Sequence, residues 1–299
     1  PGASLVRTRA ARRLLGHMAA RLAGDPTAHL TLVGITGTNG KTTTTYLLES
    51  IWRAAGHAPG VVGTITYRFA GVARPAPFTT PEAPALQSLL AEMHAAGTTH
   101  VVMEVSSHAL ALDRVAGCRF DAGVFTNLTR DHLDFHGDFD AYEAAKARLF
   151  REHLPASGKR DPVAIINLDD AAGARLVATL PGRRVSFSTH APAATARLVD
   201  VESTLAGTRG TLVLGEERVP FTTSLVGAPH AENVLAAASC AWATGVPSAA
   251  IAAGLAAAEP PPGRVERIAG PGFTVVVDYA HSPDALARLL DTMRPLTPG

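Results

Sequence analysis

The sequence predicts an α/β fold in which a mostly parallel sheet carries helices on both faces. Short apolar segments alternate with longer amphipathic ones through the first 180 residues, which is typical of parallel strands connected by helices. The predicted strands are almost entirely apolar, which indicates burial on both faces of the sheet. The pattern gives strands at 30–35, 61–67, 100–105, 121–126 and 163–167, and helices at 41–55, 82–96, 139–153 and 169–180.

Residues 184–224 predict a small antiparallel addition to this sheet. Short strand-like segments occur at 185–188, 197–201, 211–214 and 218–223, with turns predicted at Gly207, Gly210 and Gly215. Residues 234–258 then contain no charged residue, a length that would suit a membrane span. Because Gly245 and Pro247 interrupt this segment, we expect two buried helices instead, at 230–244 and 247–258.

Three domain segments are predicted. Residues 4–23 form an amphipathic helix, and residues 1–29 are assigned to the end of an N-terminal domain. Residues 30–262 form the central domain. Three prolines before Gly263 make a stiff break, after which residues 263–299 begin a second, Rossmann-like α/β domain. The sequence starts without Met and ends soon after this new unit begins, so we expect a fragment of a longer protein.

Composition argues against several classes of protein. The 27 basic and 26 acidic residues give a formal net charge of +1, so no global field attracts nucleic acid or an anionic membrane. No signal peptide pattern is present. Cys118 and Cys240 lie far apart and fit no metal-binding spacing, so both are predicted to be core residues of a reduced, cytoplasmic protein.

The loop at residues 34–45, with sequence GITGTNGKTTTT, predicts a nucleotide site. Glycines let backbone N–H groups face a phosphate, and a helix that starts near Gly40 adds the positive end of its dipole. Lys41 can reach a β- or γ-phosphate, and Thr42 can give its hydroxyl to Mg²⁺. The strict phosphate-loop spacing fails because Gly34 is one residue too early. The strand before and the helix after still favour a P-loop-type site over a turn that only caps a helix.

Several polar residues outside this loop allow more than one functional or structural interpretation when each is considered alone. Glu104 ends a buried strand, where such sheets bind ligands, so it is either a metal ligand beside Thr42 or a solvated edge residue. His132 follows another strand and is either a metal ligand or an ordinary loop histidine. Lys146 lies on an amphipathic helix and, considered alone, is predicted to be an exposed lysine. The hydroxyl of Thr80 could bind a substrate or cap the next helix.

Taken together, the loop and seven further stretches resemble the Mur ligase family. They are FTTP at 78–81, EVSSH at 104–108, TNLTRDHLD at 126–134, AAK at 144–146, NLDD at 167–170, GRVE at 263–266 and DYAH at 278–281. The resemblance covers about residues 30–290. FTTP and EVSSH are similar to the family member that adds the third amino acid to UDP-N-acetylmuramoyl-L-alanyl-D-glutamate.

The resemblance implies a role for each matching residue. Its nucleotide-binding positions are Gly37, Thr38, Asn39, Gly40, Lys41, Thr42, Thr43, Asn233, Arg264 and Asp278. It implies two Mg²⁺ sites, with Thr42, Glu104, His132 and a carbamylated Lys146 as the metal ligands. Substrate contacts are implied at Thr79, Thr80, Ser106 and Arg114, and catalytic roles at Lys41, His132 and Lys146.

Two positions depart from the family pattern. The family often has Gln where this sequence has Leu112, so one polar substrate contact is missing. It commonly has Asn where this sequence has His230, next to the retained Asn233. The resemblance gives His136 no role.

The implied activity is ATP-dependent ligation of a diamino acid to the D-Glu of UDP-N-acetylmuramoyl-L-Ala-D-Glu, through an acyl phosphate, in peptidoglycan precursor synthesis. The implied protein is a cytoplasmic monomer without nucleic-acid or membrane partners, and meso-diaminopimelate, lysine and ornithine all stay open. The alternatives are a folylpolyglutamate synthetase or sister Mur ligase, a nucleotide-binding regulatory protein without ligase activity, and a P-loop kinase or motor.

Overall fold

A sheet of eleven strands forms the centre of the computed structural model, which describes residues 7–281 and 283–297. The strands are β1 Thr31–Thr36, β2 Pro59–Val62, β3 Thr66–Phe69, β4 Val72–Pro75, β5 His100–Glu104, β6 Ala122–Phe125, β7 Val163–Asn167, β8 Arg183–Ser188, β9 Ala196–Thr204, β10 Gly207–Leu214 and β11 Glu217–Thr223. Their order across the sheet is β11-β10-β9-β8-β7-β6-β1-β5-β2-β3-β4. The predicted α/β class is therefore confirmed.

The strand β1 lies between β5 and β6 and runs parallel to both. Ile35 is opposite Glu104 in β5 and opposite Val124 in β6. The carboxyl ends of these three strands therefore meet at one edge of the sheet, which is where parallel α/β sheets bind ligands. The loop that follows β1 is placed at this edge.

Helices cover both faces of the sheet, as predicted. They are α1 Ala11–Leu22, α2 Lys41–Ala54, α3 Ala83–Ala95, α4 Ser107–Ala111, α5 Leu133–His136, α6 Phe139–Arg148, α7 Ala171–Thr179, α8 Ala228–Ala243, α9 Ser248–Ala257 and α10 Pro283–Met293, with a π-helical turn at Leu149–His153 and 3₁₀ turns at Pro26–Ala28, Pro155–Ser157 and Arg294–Leu296. Successive side chains of β1 point to opposite faces of the sheet, and each face packs against its own layer of helices. Val33 and Ile35 pack in one core with α2, α8 and α9, whereas Leu32 packs in the other with α3 and α7.

Several predicted boundaries were wrong. The strand expected at 61–67 is two strands, because the chain turns after Val62 and returns antiparallel as β3. The strand β4 was missed because all four of its residues are exposed and carry no apolar alternation. The helix expected at 4–23 begins at Ala11, and residues 4–6 lie outside the described residues.

The antiparallel addition is confirmed for β9, β10 and β11, which extend one end of the sheet. Its first predicted strand, at 185–188, was wrongly included, because β8 runs parallel to both β7 and β9 and so continues the parallel sheet. The turn predicted at Gly210 was wrong. This glycine lies within β10, where the register with β9 shifts between Arg209 and Thr211. A Cβ at Gly210 would lie 3.2 Å from the ring of Phe221, so the glycine serves close packing rather than a turn.

The two buried helices expected after this addition are confirmed as α8 and α9. No helix within residues 7–281 and 283–297 is long and apolar enough to cross a membrane. Beyond the proline break, β12 Glu266–Gly270 and β13 Phe273–Val277 pair as a separate two-stranded antiparallel sheet. The helix α10 follows them.

Candidate active site

The loop between β1 and α2 is built around two glycines whose side-chain positions are already filled. Gly37 has φ +151° and Gly40 has φ +85°. A Cβ at Gly37 would lie 1.9 Å from Oγ1 of Thr126, and one at Gly40 would lie 2.2 Å from Oδ1 of Asn233. Only glycine fits both the backbone conformation and the space. The loop is therefore fixed against two other segments of the chain.

Residues at the end of β6 hold this loop in shape. The hydroxyl of Thr126 donates to the carbonyl of Asn39 at 2.6 Å. Asn127 accepts the N–H of Thr38 on its carbonyl and the N–H of Asn39 on Oδ1, both at 2.9 Å. The hydroxyl of Thr38 accepts the N–H of Thr129 at 3.0 Å. Reasoning from single residues gave these residues after β6 no function, although they lie within the TNLTRDHLD stretch.

Two lysines converge on one carbonyl of the loop. Nζ of Lys41 donates to the carbonyls of Gly37 and Thr38, both at 2.9 Å. Nζ of Lys146, from α6, donates to the same Gly37 carbonyl at 2.7 Å. Lys146 is only 1% exposed, so the reading of it as a surface lysine was wrong. The pattern of α6 shows that the helix is amphipathic, but it does not show that Lys146 faces the loop.

Burial lowers the pKa of both lysines. Desolvation is the main cause for Lys146, whose pKa falls well below its usual value, and the nearby charge of Lys41 adds to the fall. Desolvation also lowers the pKa of Lys41, against the opposing attraction of Glu104. Two ammonium groups this close repel each other, so the pair favours a neutral amine on Lys146. A neutral amine is the form that can react with an electrophile.

Glu104 is buried at the end of β5, and its carboxylate accepts three hydrogen bonds. Its Oε1 accepts the hydroxyl of Thr42 at 3.0 Å and the N–H of Thr64 at 2.8 Å. Its Oε2 accepts the hydroxyl of Thr64 at 3.0 Å. The reading of Glu104 as a solvated edge residue was wrong, because it is 1% exposed. Since Thr42 donates to this carboxylate, the lone pairs of its hydroxyl stay available, and the pair offers the oxygen donors that Mg²⁺ prefers. Thr43, the next residue of α2, is also buried.

His132 lies near Tyr142, whose ring also contacts Lys146. Its backbone has φ +52°, and Nε2 is 3.5 Å from Oδ2 of Asp131. Its ring centroid is 6.2 Å from that of Tyr142, and Nζ of Lys146 is 4.5 Å from the same ring. Partial burial lowers the pKa of His132, and Asp131 opposes the change. His132 and Lys146 thus lie around one aromatic ring.

No group of three or more His, Cys, Asp or Glu side chains in the described part of the chain could hold a metal ion. The four ligands implied by the resemblance include only two such residues, Glu104 and His132. A second metal site here would therefore depend on the modification of Lys146.

The residues implied for substrate binding also come together. The hydroxyl of Thr80 donates to the carbonyl of Glu104 at 2.8 Å and accepts the N–H of Ser106 at 3.1 Å. The guanidinium of Arg114 donates to the carbonyl of Thr80 at 3.2 Å and pairs with Glu82 at 2.8 Å. Thr80 does not cap the next helix, because the N-cap of α3 is Glu82. Ser106 instead caps α4 through its own hydroxyl.

Thr79 completes this group through a residue that the sequence reasoning missed. Its hydroxyl lies 3.1 Å from that of Thr64, in the turn between β2 and β3. Thr64 carries no motif signal, and its partners lie 15 and 40 residues away in the chain. Leu112 lies at the C-cap of α4, where its carbonyl accepts Nε of Arg12 at 3.0 Å.

The residues after the proline break face the loop from the other side. Arg264, Tyr279 and His281 line a cavity of about 70 Å³ together with Thr38 and Asn39. The guanidinium of Arg264 lies 4.9 Å from the ring centroid of Tyr279. This group places a cation opposite the phosphate loop.

Asp278, Asn233 and His230 surround the same region. Asp278 accepts the N–H groups of Val265 and Ala280, both at 2.8 Å, which fixes the turn that carries it. Asn233 lines a second cavity of about 120 Å³ beside Gly40. His230 is buried, and desolvation lowers its pKa to about 4. A neutral imidazole therefore replaces the amide that the resemblance leads one to expect.

Comparison with known proteins identifies the family. The sequence model of the Mur ligase middle domain matches residues 35–241. The chain belongs to the Mur ligase family. This membership argues against the kinase or motor reading and agrees with the fold.

Similar Mur ligases cover nearly the whole chain. The UDP-N-acetylmuramoyl-L-alanyl-D-glutamate–2,6-diaminopimelate ligase of Geobacter metallireducens is 46% identical over 97% of this chain and 57% of its own length. The ligase of the same name from Gloeobacter violaceus is 49% identical over 92% of this chain and 55% of its own length. The chain thus spans just over half the length of these relatives.

Solved structures of Mur ligases and a related synthase are similar in fold to this chain. A structure of a ligase of that name has a TM-score of 0.84 at 32% identity, covering 97% of this chain and 59% of its own. The folylpolyglutamate synthase of Mycobacterium tuberculosis, solved with ADP and AMPPCP, has a TM-score of 0.76 at 18% identity, covering 94% of this chain and 70% of its own. The second likeness concerns the fold alone.

Proposed function

We propose that the full-length protein joins a diamino acid to the D-Glu of UDP-N-acetylmuramoyl-L-Ala-D-Glu at the expense of ATP. The observation that carries the proposal is Glu104. Its carboxylate accepts a hydrogen bond from Thr42 at the phosphate loop, and its backbone carbonyl accepts one from Thr80 of the FTTP stretch. One residue thus joins a nucleotide loop to a second polar loop, as a reaction between a nucleotide and a carboxylate acceptor requires.

The loop residues 37–43 would bind ATP from one side, with Asn233, Arg264 and Asp278 on the other. Thr42 and Glu104 would hold one Mg²⁺, and His132 with a carbamylated Lys146 would hold a second. Ions bound there would neutralise charge on the phosphate oxygens. Lys41 and Arg264 add fixed positive charge at the same place.

The proposed reaction has two steps, a phosphoryl transfer and an acyl transfer. The γ-phosphoryl group of ATP passes to the D-glutamyl γ-carboxylate, which gives an acyl phosphate and ADP. The amine of the diamino acid then attacks the acyl carbon, and phosphate leaves as the amide bond forms and the amine loses its proton. Thr79, Thr80, Ser106 and Arg114 would orient the UDP-linked acceptor.

The carbamate on Lys146 is supported by its surroundings. Reaction with CO₂ requires a neutral amine, and burial next to Lys41 favours that form. The product replaces an ammonium with an anion, which removes the repulsion between the two lysines. It also supplies the carboxylate-like oxygens that a second metal site lacks in the unmodified chain.

The amino acid is proposed to be 2,6-diaminopimelate, for which the similar ligases are named. Residues 1–29 would be the end of an N-terminal domain and residues 263–299 the start of a C-terminal one, with residues 30–262 as the ATP-binding domain. A cytoplasmic monomer is proposed as the working state.

Phosphate release from ATP by the full-length protein tests this function. UDP-N-acetylmuramoyl-L-Ala-D-Glu would be the acceptor, with diaminopimelate, lysine and ornithine added separately and a dihydrofolate–glutamate pair as the control. We expect release that needs the UDP-dipeptide and diaminopimelate together. Release with the folate pair alone would identify a sister ligase. ATP binding without any acceptor-dependent release would favour a nucleotide-binding protein without ligase activity.

A further inference from the structure

The NLDD stretch carries two adjacent carboxylates that hold different segments of the chain. Asp169 accepts the hydroxyl of Ser188, and it accepts the N–H of Thr189 at 2.6 Å and the hydroxyl of Thr189 at 2.8 Å. Asp170 accepts the N–H of Leu128 on Oδ2 at 2.8 Å. Of the two carboxylates, Asp170 is therefore the one that contacts the segment after β6.

The other oxygen of Asp170 is fixed to the start of α7. Oδ1 accepts the N–H groups of Ala172 at 2.9 Å and Gly173 at 3.2 Å, so Asp170 is the N-cap of this helix. A Cβ at Gly173 would lie 2.0 Å from the carbonyl oxygen of Asn167, so the helix begins close against the end of β7. The carboxylate thus joins a closely packed helix to Leu128.

The peptide unit between Asn127 and Leu128 carries this contact toward the phosphate loop. The unit is planar and trans, so its carbonyl and its N–H point in opposite directions. The N–H of Leu128 donates to Asp170, whereas the carbonyl of Asn127 accepts the N–H of Thr38 at 2.9 Å. Because the unit is rigid, the carboxylate that holds one end also sets the orientation of the other.

The residue on the other side of Leu128 holds the same loop residue. The N–H of Thr129 donates to the hydroxyl of Thr38 at 3.0 Å, and that hydroxyl donates to the carbonyl of Thr129 at 3.2 Å. Thr38 is thus held at its backbone by Asn127 and at its side chain by Thr129. A movement of Leu128, which lies between these two residues, would shift both contacts.

We propose that Asp170 is a positioning residue for the phosphate loop, which acts through the Asn127–Leu128 peptide unit on Thr38. This inference rests on the part of the proposed function that places ATP at residues 37–43. Loss of the contact with Leu128 would displace the loop and the N–H groups that meet the phosphates. The cap of α7 and the position of the loop are therefore two separate roles of one carboxylate.

Two substitutions separate these roles. Asn and Ser cap helices about as well as Asp does, but each offers a single acceptor oxygen at this place. In Asp170→Asn and Asp170→Ser, an oxygen that stays on the cap satisfies two N–H groups of α7 and leaves Leu128 without its acceptor. Asp169→Asn is the matched control, because it changes the neighbouring carboxylate, whose partners lie at the end of β8.

Isothermal titration calorimetry on the full-length protein, with ADP and with UDP-N-acetylmuramoyl-L-Ala-D-Glu, measures the effect. We expect both variants of Asp170 to raise the Kd for ADP about three- to ten-fold, the effect of one lost hydrogen bond. Their Kd for the UDP-dipeptide should not change, and their urea unfolding midpoints should stay near that of the parent. Asp169→Asn should bind both ligands as the parent does.

Four results would overturn the inference. They are an unchanged ADP affinity in the folded Asp170 variants, an equal loss of affinity for both ligands, a loss of ADP affinity in Asp169→Asn as large as in the Asp170 variants, and failure of both Asp170 variants to fold by circular dichroism while Asp169→Asn folds. If one Asp170 variant is unfolded, the other carries the test. If the parent binds no ADP, the proposed function fails together with the inference, whereas normal ADP binding by the parent and by the folded variants rejects the role of Asp170 alone.

Discussion

His153 should make the stability of this protein fall as the pH drops from 7 to 5. It ends the π-helical turn after α6, where it is 8% exposed, and its Nε2 has no hydrogen-bond partner. Its pKa is lowered from 6.5 to about 4, chiefly by desolvation and also by the charge of Arg148, while Glu152 opposes the change. The buried ring therefore stays neutral at a pH where the same ring in the unfolded chain is protonated.

The direction of this pH dependence follows from the number of protons that the folded and unfolded states bind. Between pH 6.5 and about 4 the unfolded state binds more protons at His153 than the folded state does. Stability is therefore present above the unfolded pKa and is lost as the pH falls toward the folded pKa. With these two pKa values, the loss between pH 7 and pH 5 is about 2 kcal/mol. His100 and His230, whose pKa values are also lowered to about 4, should add losses in the same direction.

Urea unfolding at pH 7 and pH 5 measures this loss. His153→Leu removes the titrating group, so the drop in unfolding free energy should shrink by about 2 kcal/mol relative to the parent. Replacing His17, which is exposed on α1, by leucine serves as the control and should leave the drop unchanged. Equal drops in the parent and His153→Leu would refute the reasoning, because the buried imidazole would then be protonated as easily as a free one.

Three further predictions concern the site. Lys41→Ala should slow phosphate release at least about 100-fold while urea unfolding stays near that of the parent, since the charge acts on phosphate and the two hydrogen bonds of Nζ reach only carbonyls of the loop; normal turnover would reject the phosphate-loop assignment. Lys146→Ala should be inactive, with partial recovery when acetate is added to refill the anion's place; full activity without acetate would remove the carbamate. Gly37→Ala should abolish ADP binding measured by calorimetry, because its Cβ would meet Thr126 at 1.9 Å. Gly56→Ala, also at positive φ but with open space, should bind ADP normally; equal losses would point to backbone strain alone.

The sequence allows the fold to be predicted well because its signal is local. Apolar strands and amphipathic helices alternate, and each is recognisable within its own ten residues. The phosphate loop is predictable for the same reason, since its glycines, Lys41 and Thr42 are contiguous. The exposed strand β4 and the packing role of Gly210 could not be predicted from local sequence. The residues that determine both lie on a neighbouring strand.

The rest of the site depends on distant contacts. The burial of Lys146 is decided by its approach to Gly37, 109 residues away. Thr64 gains its significance only when the turn after β2 meets Glu104, 40 residues later. The resemblance to the Mur ligase family identified Lys146 as a site residue from a short AAK stretch, but no local pattern identified Thr64. Roles that arise from contact between remote segments require the structure.

The position of β1 has a consequence for how the protein is made. This strand leaves the ribosome before its two neighbours in the sheet, β5 and β6, which follow about 70 and 90 residues later. Closing such long loops is slow, and an unpaired apolar strand is prone to aggregate while it waits. The phosphate loop also lacks the supports at Thr126 and Asn127 until β6 has been synthesised. Nascent chains that end before residue 127 should therefore need chaperone protection and bind no nucleotide.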